Sequence, residues 1–259
     1  MPRHLHIDAP AGIAGDMFLG ACIDLGVPMS MLEEALRPLP IQPPYLLAAD
    51  ETYRHGIRAI KFNVVIDETK GSGFGVQVSV PSSEFRVPSS GTYHHILQLI
   101  DALDASPRAK DRARAITTRI GQAEAKVHNV PLDQVHFHEV GAVDSIIDML
   151  GAALALEYLG VDTVSSAPLP IGHGFVRCAH GLLRLPAPAT AEILKSIPHE
   201  RVNREGETVT PTGAALVAAL ATSFGPMPPM RNVTSGYGAG DRDTPDLPNL
   251  LRLFLGDSL

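Results

Sequence analysis

The positions of apolar residues divide the chain into alternating strands and helices. Polar and apolar residues alternate over residues 4–8, which predicts a strand, and an apolar helix follows over residues 16–25. A second helix over residues 31–36 ends before Pro38 and Pro40. Apolar residues at helical spacing predict the remaining helices, which cover residues 93–103, 107–127, 139–159, 189–196 and 211–223.

The other strands are predicted from β-branched runs that turn residues bound. They lie within residues 45–67, where two are joined through Arg54-His55-Gly56, and over residues 163–169, 230–235 and 250–255. The Gly-, Ser- and Pro-rich residues 71–91 predict a loop with a short strand at residues 76–80. This alternation favours an α/β fold: a mixed sheet with helices on its faces and a small β-rich excursion near residues 45–90. We expect residues 1–259 to form one domain, with residues 45–90 as a β subdomain within it.

The helix predicted over residues 139–159 carries two acids in an otherwise apolar sequence. Helices that are apolar nearly all round are typically buried. Asp144 and Asp148 are four residues apart, so they share one face of this helix. A carboxylate in such a setting is costly unless it is paired, hydrogen-bonded or bound to a metal. We therefore interpret both as functional acids; the alternative is a pair that merely flanks an exposed helix.

The residues just before these acids predict a metal site. His136 and His138, two residues apart, point the same way from an extended segment, and Glu139 follows them directly. Extended His-x-His leading into a helix with two acids is a reasonable site for a hard or borderline cation. A solvated histidine pair is the alternative.

Three further residues are candidate metal ligands. Cys178 and His180 follow a glycine-rich turn, and a thiolate with an imidazole suits nickel, zinc or iron better than magnesium. The alternative is a small buried cysteine beside a capping or exposed histidine. Asp8 ends the first predicted strand, where ligands of open α/β sheets gather.

Two predicted helix starts have the character of anion sites, because free backbone N–H groups and the helix dipole favour negative charge there. The first contains Gly12, Gly15 and Asp16, although Asp16 is equally interpretable as a cap. The second is the segment Thr210-Pro211-Thr212-Gly213, where capping by Thr210 is a sufficient explanation by itself. A glycine-rich segment at residues 236–241 predicts a loop that approaches a ligand closely, or only a tight turn.

Composition narrows the class of protein. Hydrophobic residues make up 45% and charged residues 19% of the 259, as in an ordinary globular chain. A net charge of −7 argues against a general nucleic-acid surface. No apolar run is long enough to span a bilayer and no signal-peptide pattern opens the chain, so we expect a cytoplasmic protein without membrane partners. The two cysteines predict no disulfide framework, and the eleven histidines favour metal chemistry.

Eight blocks of residues follow one another along nearly the whole chain. The blocks are Asp8-x-x-x-Gly12-x-x-Gly15-Asp16-Met17-Phe18-Leu19-Gly20, Arg54-His55-Gly56, Ala123-Glu124-Ala125-Lys126-Val127-His128, Val135-His136-Phe137-His138-Glu139-Val140-Gly141-Ala142-Val143-Asp144-Ser145, Gly174-Phe175-Val176-Arg177-Cys178-Ala179-His180-Gly181, Pro186-Ala187-Pro188-Ala189-Thr190, Thr210-Pro211-Thr212-Gly213-Ala214-Ala215 and Gly236-Tyr237-Gly238-Ala239-Gly240. In this order they resemble the LarC nickel-insertion protein family.

The resemblance implies nickel insertion into pyridinium-3,5-bisthiocarboxylic acid mononucleotide, which forms the nickel-pincer nucleotide of lactate racemase-type enzymes. It also implies a requirement for CTP and for Mn²⁺ or Mg²⁺, bound by a C-terminal region that we expect to lie outside this chain, either truncated from it or in a separate C-terminal half. On that hypothesis Glu139, Asp144 and Asp148 are catalytic, and one of them acts as base. Ni²⁺ would be held by His136, His138, Asp8, Cys178 and His180, and the mononucleotide phosphate by the two helix starts.

We expect a nickel chelatase of the lyase class, in an oligomer, that acts on a small nucleotide. Two other classes stay open at this stage. One is a nickel carrier or scaffold that hands the ion to a partner without turnover of its own. The other is a metal-dependent hydrolase, which shares only the His-x-His spacing with this chain.

Overall fold

The computed structural model describes residues 1–66, 91–137, 142–178, 180–242 and 244–259. The strands in these ranges are β1 (Arg3–Asp8), β2 (Tyr45–Arg54), β3 (Ile57–Ile66), β4 (Thr163–Ser166), β5 (Leu169–His173), β6 (Phe175–Cys178), β7 (Gly181–Arg184), β8 (His199–Glu205), β9 (Ser223–Phe224), β10 (Met230–Ala239) and β11 (Leu250–Ser258). The helices are α1 (Gly15–Asp24), α2 (Met29–Leu36), α3 (Tyr93–Ala102), α4 (Pro107–His128), α5 (Val143–Tyr158), α6 (Pro188–Leu194) and α7 (Pro211–Leu220).

Seven of the described strands form one mixed sheet in the order β2-β3-β10-β11-β1-β4-β9. β1 runs parallel to β4 and antiparallel to β11, and β10 runs parallel to β3. β5 pairs with β8, and β6 with β7, in two small separate sheets. The mixed α/β fold predicted from the sequence is confirmed. Residues 45–66 form the β2–β3 hairpin at one edge of the main sheet, and the predicted strand at residues 76–80 lies outside the described residues.

Helix α1 lies against the sheet at very short range, because glycines face each other across the contact. A Cβ atom on Gly238 would overlap the carbonyl oxygen of Met17, and one on Gly236 would overlap that of Ala21. Gly20 of α1 has the same relation to the carbonyl oxygen of Ile60. The prediction of a ligand-binding loop at residues 236–241 was therefore wrong for residues 236–239, which belong to β10 and whose glycines let α1 approach the sheet closely.

Helix α5 runs through the core, as its apolar sequence predicts. All its residues from Ile146 to Leu156 are buried. It begins at Val143, later than the predicted residue 139, because Ala142 has an extended backbone with φ −67° and ψ 153°. Helix α4 lies beside it and also contacts α6 and α7.

Other differences concern short elements. The strand predicted over residues 163–169 is divided: β4 ends at Ser166 in the main sheet and β5 begins at Leu169 in a small one. The Gly-rich turn predicted before Cys178 is the connection from β5 to β6, with Gly172 in β5 and Gly174 between the two strands, and Cys178 ends β6. Strand β8 was missed because its sequence, His199–Glu205, is polar and largely exposed. No helix of the described part of the chain has the length and apolar content needed to cross a membrane.

Candidate functional site

Helices α1, α5 and α7 begin around one acidic cleft. The cleft has a volume of about 330 Å³, within the ordinary range for small-molecule sites. Neither α1 nor α5 has a side chain that caps its N-terminus, whereas Thr210 caps α7 by accepting a hydrogen bond from the Gly213 N–H at 3.1 Å. The cleft is lined by Ala14, Gly15, Asp16, Lys61, Phe62, Asn63, Val64, Asp144, Ser145, Asp148, Glu207, Thr210, Pro211, Thr212 and Asp241.

Asp148 is the buried acid of this cleft. Only 9% of its surface is exposed, and its Oδ1 atom has no hydrogen-bond partner among the described residues. Gly15 permits this position, because a Cβ atom there would overlap the Asp148 carboxylate. Burial, followed by the negative charges of Asp16 and Asp144, raises the pKa of Asp148 well above its ordinary value, while Lys61 opposes that rise. Such a group is a candidate proton acceptor.

Lys61 of β3 balances part of the negative charge. It forms ion pairs with Asp16 and, at 2.7 Å, with Asp241. Burial lowers the pKa of Lys61, but its two acidic partners together raise that pKa above the ordinary value. Burial raises the pKa of Asp16 although Lys61 lowers it. The sequence analysis missed Lys61. The feature that could have identified it is a lysine in a strand between two apolar residues, Ile60 and Phe62, which are buried.

The two predicted anion sites lie side by side in the fold. The Ile13 N–H donates to the Thr208 carbonyl at 2.9 Å, and the Thr210 N–H donates to the Ile13 carbonyl at 3.1 Å. Gly12 and Gly213 serve this contact: a Cβ atom on either would overlap a backbone carbonyl of the other segment. These two glycines do not line the cleft and instead bring the helix starts together. The residues predicted to bind the cofactor that do line it are Gly15, Asp16, Thr210 and Thr212.

A second cavity of about 390 Å³ adjoins the first and shares Asp16, Glu207 and Thr210 with it. It adds an aromatic ring, Phe175, and a guanidinium, Arg242. Together the two lobes offer carboxylates, a guanidinium and an aromatic face, and Asp16, Glu207 and Asp241 line both lobes. That combination suits an anionic ligand with a planar ring.

The predicted metal ligands are dispersed. Asp8 forms an ion pair with Arg252. His136 is exposed, and its backbone forms an isolated β-bridge with Thr92. Cys178 and His180 lie at the tip of the β6–β7 hairpin. Among the described residues, no three His, Cys, Asp or Glu side chains are already arranged as a set of metal ligands.

The predicted catalytic acids have different settings. Asp148 is buried, whereas Asp144, in the first turn of α5, is exposed at the mouth of the cleft. The two acids share one face of α5 and line the same cleft, as predicted. The inward position predicted for both was wrong for Asp144, because it precedes the point where α5 enters the core. Glu139 and His138 lie outside the described residues.

The known proteins that this chain resembles are nickel insertion proteins. The family described as "Nickel insertion protein" matches residues 5–258. A putative nickel insertion protein of Citrifermentans bemidjiense is 47% identical over 98% of this chain and 61% of its own length. The pyridinium-3,5-bisthiocarboxylic acid mononucleotide nickel insertion protein of Geobacillus kaustophilus is 43% identical over 98% of this chain and 59% of its own.

The chain thus spans about three fifths of the length of the curated relatives that it matches. A putative nickel insertion protein of Geobacter sulfurreducens shows the same proportions, with 45% identity over 98% of the chain and 61% of the relative. No solved structure matches the chain.

Asp148 generates a prediction about stability. Its pKa is higher in the folded chain than in the unfolded one, so ionisation above the ordinary pKa of 3.8 favours unfolding. We expect Asp148→Asn to raise the melting temperature at neutral pH by about 2–4 °C, which corresponds to about 1 kcal/mol. The gain should shrink as the pH falls and vanish below the ordinary aspartate pKa.

Thermal unfolding followed by circular dichroism across this pH range is the measurement. Asp104→Asn, which changes an exposed aspartate outside the cleft, is the matched control and should leave the melting temperature unchanged. A lower melting temperature for Asp148→Asn at neutral pH would show that the carboxylate is a structural group.

Proposed function

Because the chain belongs to the nickel insertion protein family, with a match over residues 5–258, we propose that its acidic cleft inserts nickel into pyridinium-3,5-bisthiocarboxylic acid mononucleotide. One observation carries the proposal: Asp148 is buried, has a raised pKa and meets the starts of α1 and α7 in the cleft. Burying an ionisable group without a partner does not stabilise the fold, but a carboxylate with a raised pKa is well suited to accept a proton during a reaction.

The reaction needs a base and a weak cation site. Ni²⁺ enters as the 2+ ion, the carbon–hydrogen bond of the pyridinium ring breaks, and carbon–nickel and sulfur–nickel bonds form without a change of oxidation state. The electron pair of the broken bond goes to the nickel, and the proton goes to the Asp148 carboxylate. Asp144 at the mouth and Asp16 inside would hold the incoming ion, since carboxylates bind Ni²⁺ less tightly than thiolates or imidazoles do.

The helix starts and the second lobe would hold the nucleotide. The uncapped N-termini of α1 and α5 offer backbone N–H groups to an anion. Arg242 adds a guanidinium for the phosphate, and Phe175 adds a face on which a planar ring can lie.

We also propose the finer assignments that the resemblance implies. These are a chelatase of the lyase class, a requirement for CTP with Mn²⁺ or Mg²⁺, and binding of CTP by the part of the relatives that this chain does not match. A carrier that binds nickel without turnover is the second candidate, left open by the sequence analysis. The metal-dependent hydrolase rested on His136 and His138 alone and stays a prediction.

Reconstitution tests the function and separates these candidates. The purified chain is incubated with the bisthiocarboxylate mononucleotide, Ni²⁺, CTP and Mn²⁺, and the organonickel product is followed by mass spectrometry. We expect product from the wild-type chain and a rate lower by about 10²-fold or more for Asp148→Asn, the ordinary cost of losing a general base. Asp104→Asn is the control, with an unchanged rate.

The other outcomes are decisive as well. Nickel binding with no product would identify a carrier. Product formation at equal rates by Asp148→Asn and the wild-type chain would contradict the role proposed for this carboxylate.

Lys61 generates a prediction about pH. Its positive charge lowers the pKa of both Asp16 and Asp148. Lys61→Met removes that charge, so Asp148 should take up its proton at a higher pH and the acidic limb of the pH–rate profile should move to higher pH. Arg58→Met, which removes a cation of the same strand that pairs with Asp24 outside the cleft, should leave the limb in place. An acidic limb that does not move in Lys61→Met would refute this coupling.

A further inference from the structure

The tip of the β2–β3 hairpin carries the motif Arg54-His55-Gly56, which the proposed function leaves without a role. His55 and Gly56 have φ values of 50° and 78°, and Arg54 pairs with Ile57 across the turn. Two central residues with positive φ identify a type I′ turn, which prefers Asn-Gly, Asp-Gly or Gly-Gly. The turn alone therefore does not explain a histidine at position 55.

The hairpin tip contacts the connection between β10 and β11 through two side chains. Arg54 Nη2 donates a hydrogen bond to the Gly240 carbonyl at 2.7 Å. His55 Nε2 donates to the Thr244 carbonyl, also at 2.7 Å. Among the described residues, the other hydrogen bonds of the Arg54 guanidinium go to its own strand, β2. These two contacts therefore tie the hairpin tip to the connection.

The segment held in this way carries two charged residues of the cleft. Asp241 lines both lobes and forms an ion pair with Lys61 at 2.7 Å, and Arg242 lines the second lobe. The Asp241 side chain is 82% exposed, and an ion pair with so exposed a partner does little to fix a segment. The Arg242 carbonyl accepts a hydrogen bond from Asn249 Nδ2 at 2.9 Å. Hydrogen bonds to the backbone, more than the ion pair, therefore fix where these two side chains lie.

Gly206, directly after β8, leaves the space that the Arg242 guanidinium occupies. A Cβ atom on Gly206 would overlap Arg242 Nη1, and the φ of Gly206, 94°, is one that other residues rarely adopt. The Gly206 N–H donates to the His173 carbonyl at 2.8 Å, which fixes the glycine against β5. The guanidinium is thus closely fitted in the second lobe. Misplacement by about 1 Å is enough to impair such a site, so the position of its backbone matters.

We propose that Arg54 and His55 are positioning residues that hold Arg242 in place for the phosphate of the substrate. Neither is among the described residues that line the two lobes, so they act through the backbone of the connection. The identity of this phosphate rests on the proposed function. A guanidinium that is held before the ligand arrives binds a phosphate without a further ordering cost. The same hairpin supplies Lys61, so it also holds the ion-pair partner of that lysine, Asp241.

Amide hydrogen exchange followed by NMR spectroscopy tests the positioning without any ligand. Arg54→Met removes one donor to the connection, and His55→Asn removes the other while asparagine keeps the turn, since it tolerates a positive φ. We expect the amides of residues 240–242 to exchange about fivefold faster in both variants, the ordinary effect of losing one hydrogen bond. Arg58→Met, which removes a guanidinium of the same hairpin that pairs with Asp24, is the matched control and should leave this exchange unchanged.

A double-mutant cycle on ligand affinity tests whether the hairpin tip acts through Arg242. Calorimetric titration with the bisthiocarboxylate mononucleotide, in the absence of nickel, gives the affinities of the wild-type chain, Arg54→Met, Arg242→Met and the double variant. We expect Arg54→Met alone to weaken binding by about fivefold and to have no further effect once Arg242→Met has removed the guanidinium. Slow exchange of the buried α5 amides shows that each variant is folded.

The two measurements separate this proposal from the proposed function. Unchanged exchange at residues 240–242 in both hairpin variants would overturn the positioning role. Affinity losses that multiply in the double variant, or wild-type affinity in Arg54→Met, would overturn it as well, while nickel insertion would stand. A wild-type chain that does not bind the mononucleotide would overturn the proposed function and the ligand named here, and hydrogen exchange would still decide whether the hairpin tip holds the connection.

Discussion

The contact between Gly15 and Asp148 fixes the geometry of the cleft. Helices α1 and α5 cross where Gly15 leaves room for the Asp148 carboxylate. One turn further along, Gly151 leaves room for Leu19: a Cβ atom on Gly151 would lie 3.1 Å from a methyl carbon of Leu19. The crossing is thus short enough to bury Asp148 and to place it at the N-terminus of α1. A larger residue at position 15 would displace the Asp148 carboxylate from the cleft. The buried position of this acid therefore depends on the close approach of the α1 backbone to α5.

Groups of both charges line the cleft. Five carboxylates line the first lobe, those of Asp16, Asp144, Asp148, Glu207 and Asp241, with Lys61 as the basic group among the described lining residues. The N-termini of α1 and α5 add positive potential to the same lobe, and Arg242 adds a guanidinium to the second lobe beside Asp16, Glu207 and Asp241. The cleft therefore offers groups both to a metal cation and to a phosphate. The cost is a buried acid that destabilises the fold at neutral pH, a trade-off common at reactive sites.

The sequence predicted the parts of this site that depend on local pattern. Helical spacing identified Asp148 as an acid in a buried helix, and helix-start residues identified Asp16 and Thr210. What it missed depends on tertiary contacts. In the sequence Lys61 is an ordinary strand residue, and only the packing of β3 beside α1 reveals its ion pair with Asp16. Gly12 and Gly213 have the sequence pattern of anion-binding glycines, but in the fold they allow their two segments to pack against each other.

The contact between α4 and the β6–β7 hairpin shows the same limit. Glu124 and His128 belong to a helix with many charged residues, so no pattern along α4 distinguishes them. Only the packing of the β6–β7 hairpin against α4 brings His180 over His128. The sequence grouped His180 with Cys178 because they are close in the chain, and it gave no sign of this contact with α4.

The protonation state of Asp148 is the most direct test of the central claim, that this carboxyl is buried for proton transfer. Infrared difference spectra of the wild-type chain against Asp148→Asn, recorded across a pH titration, report the C=O band of the protonated acid. We expect that band to persist at pH values well above 3.8, the ordinary pKa of an aspartate. Loss of the band at that ordinary value, as for an exposed carboxylate, would contradict the account.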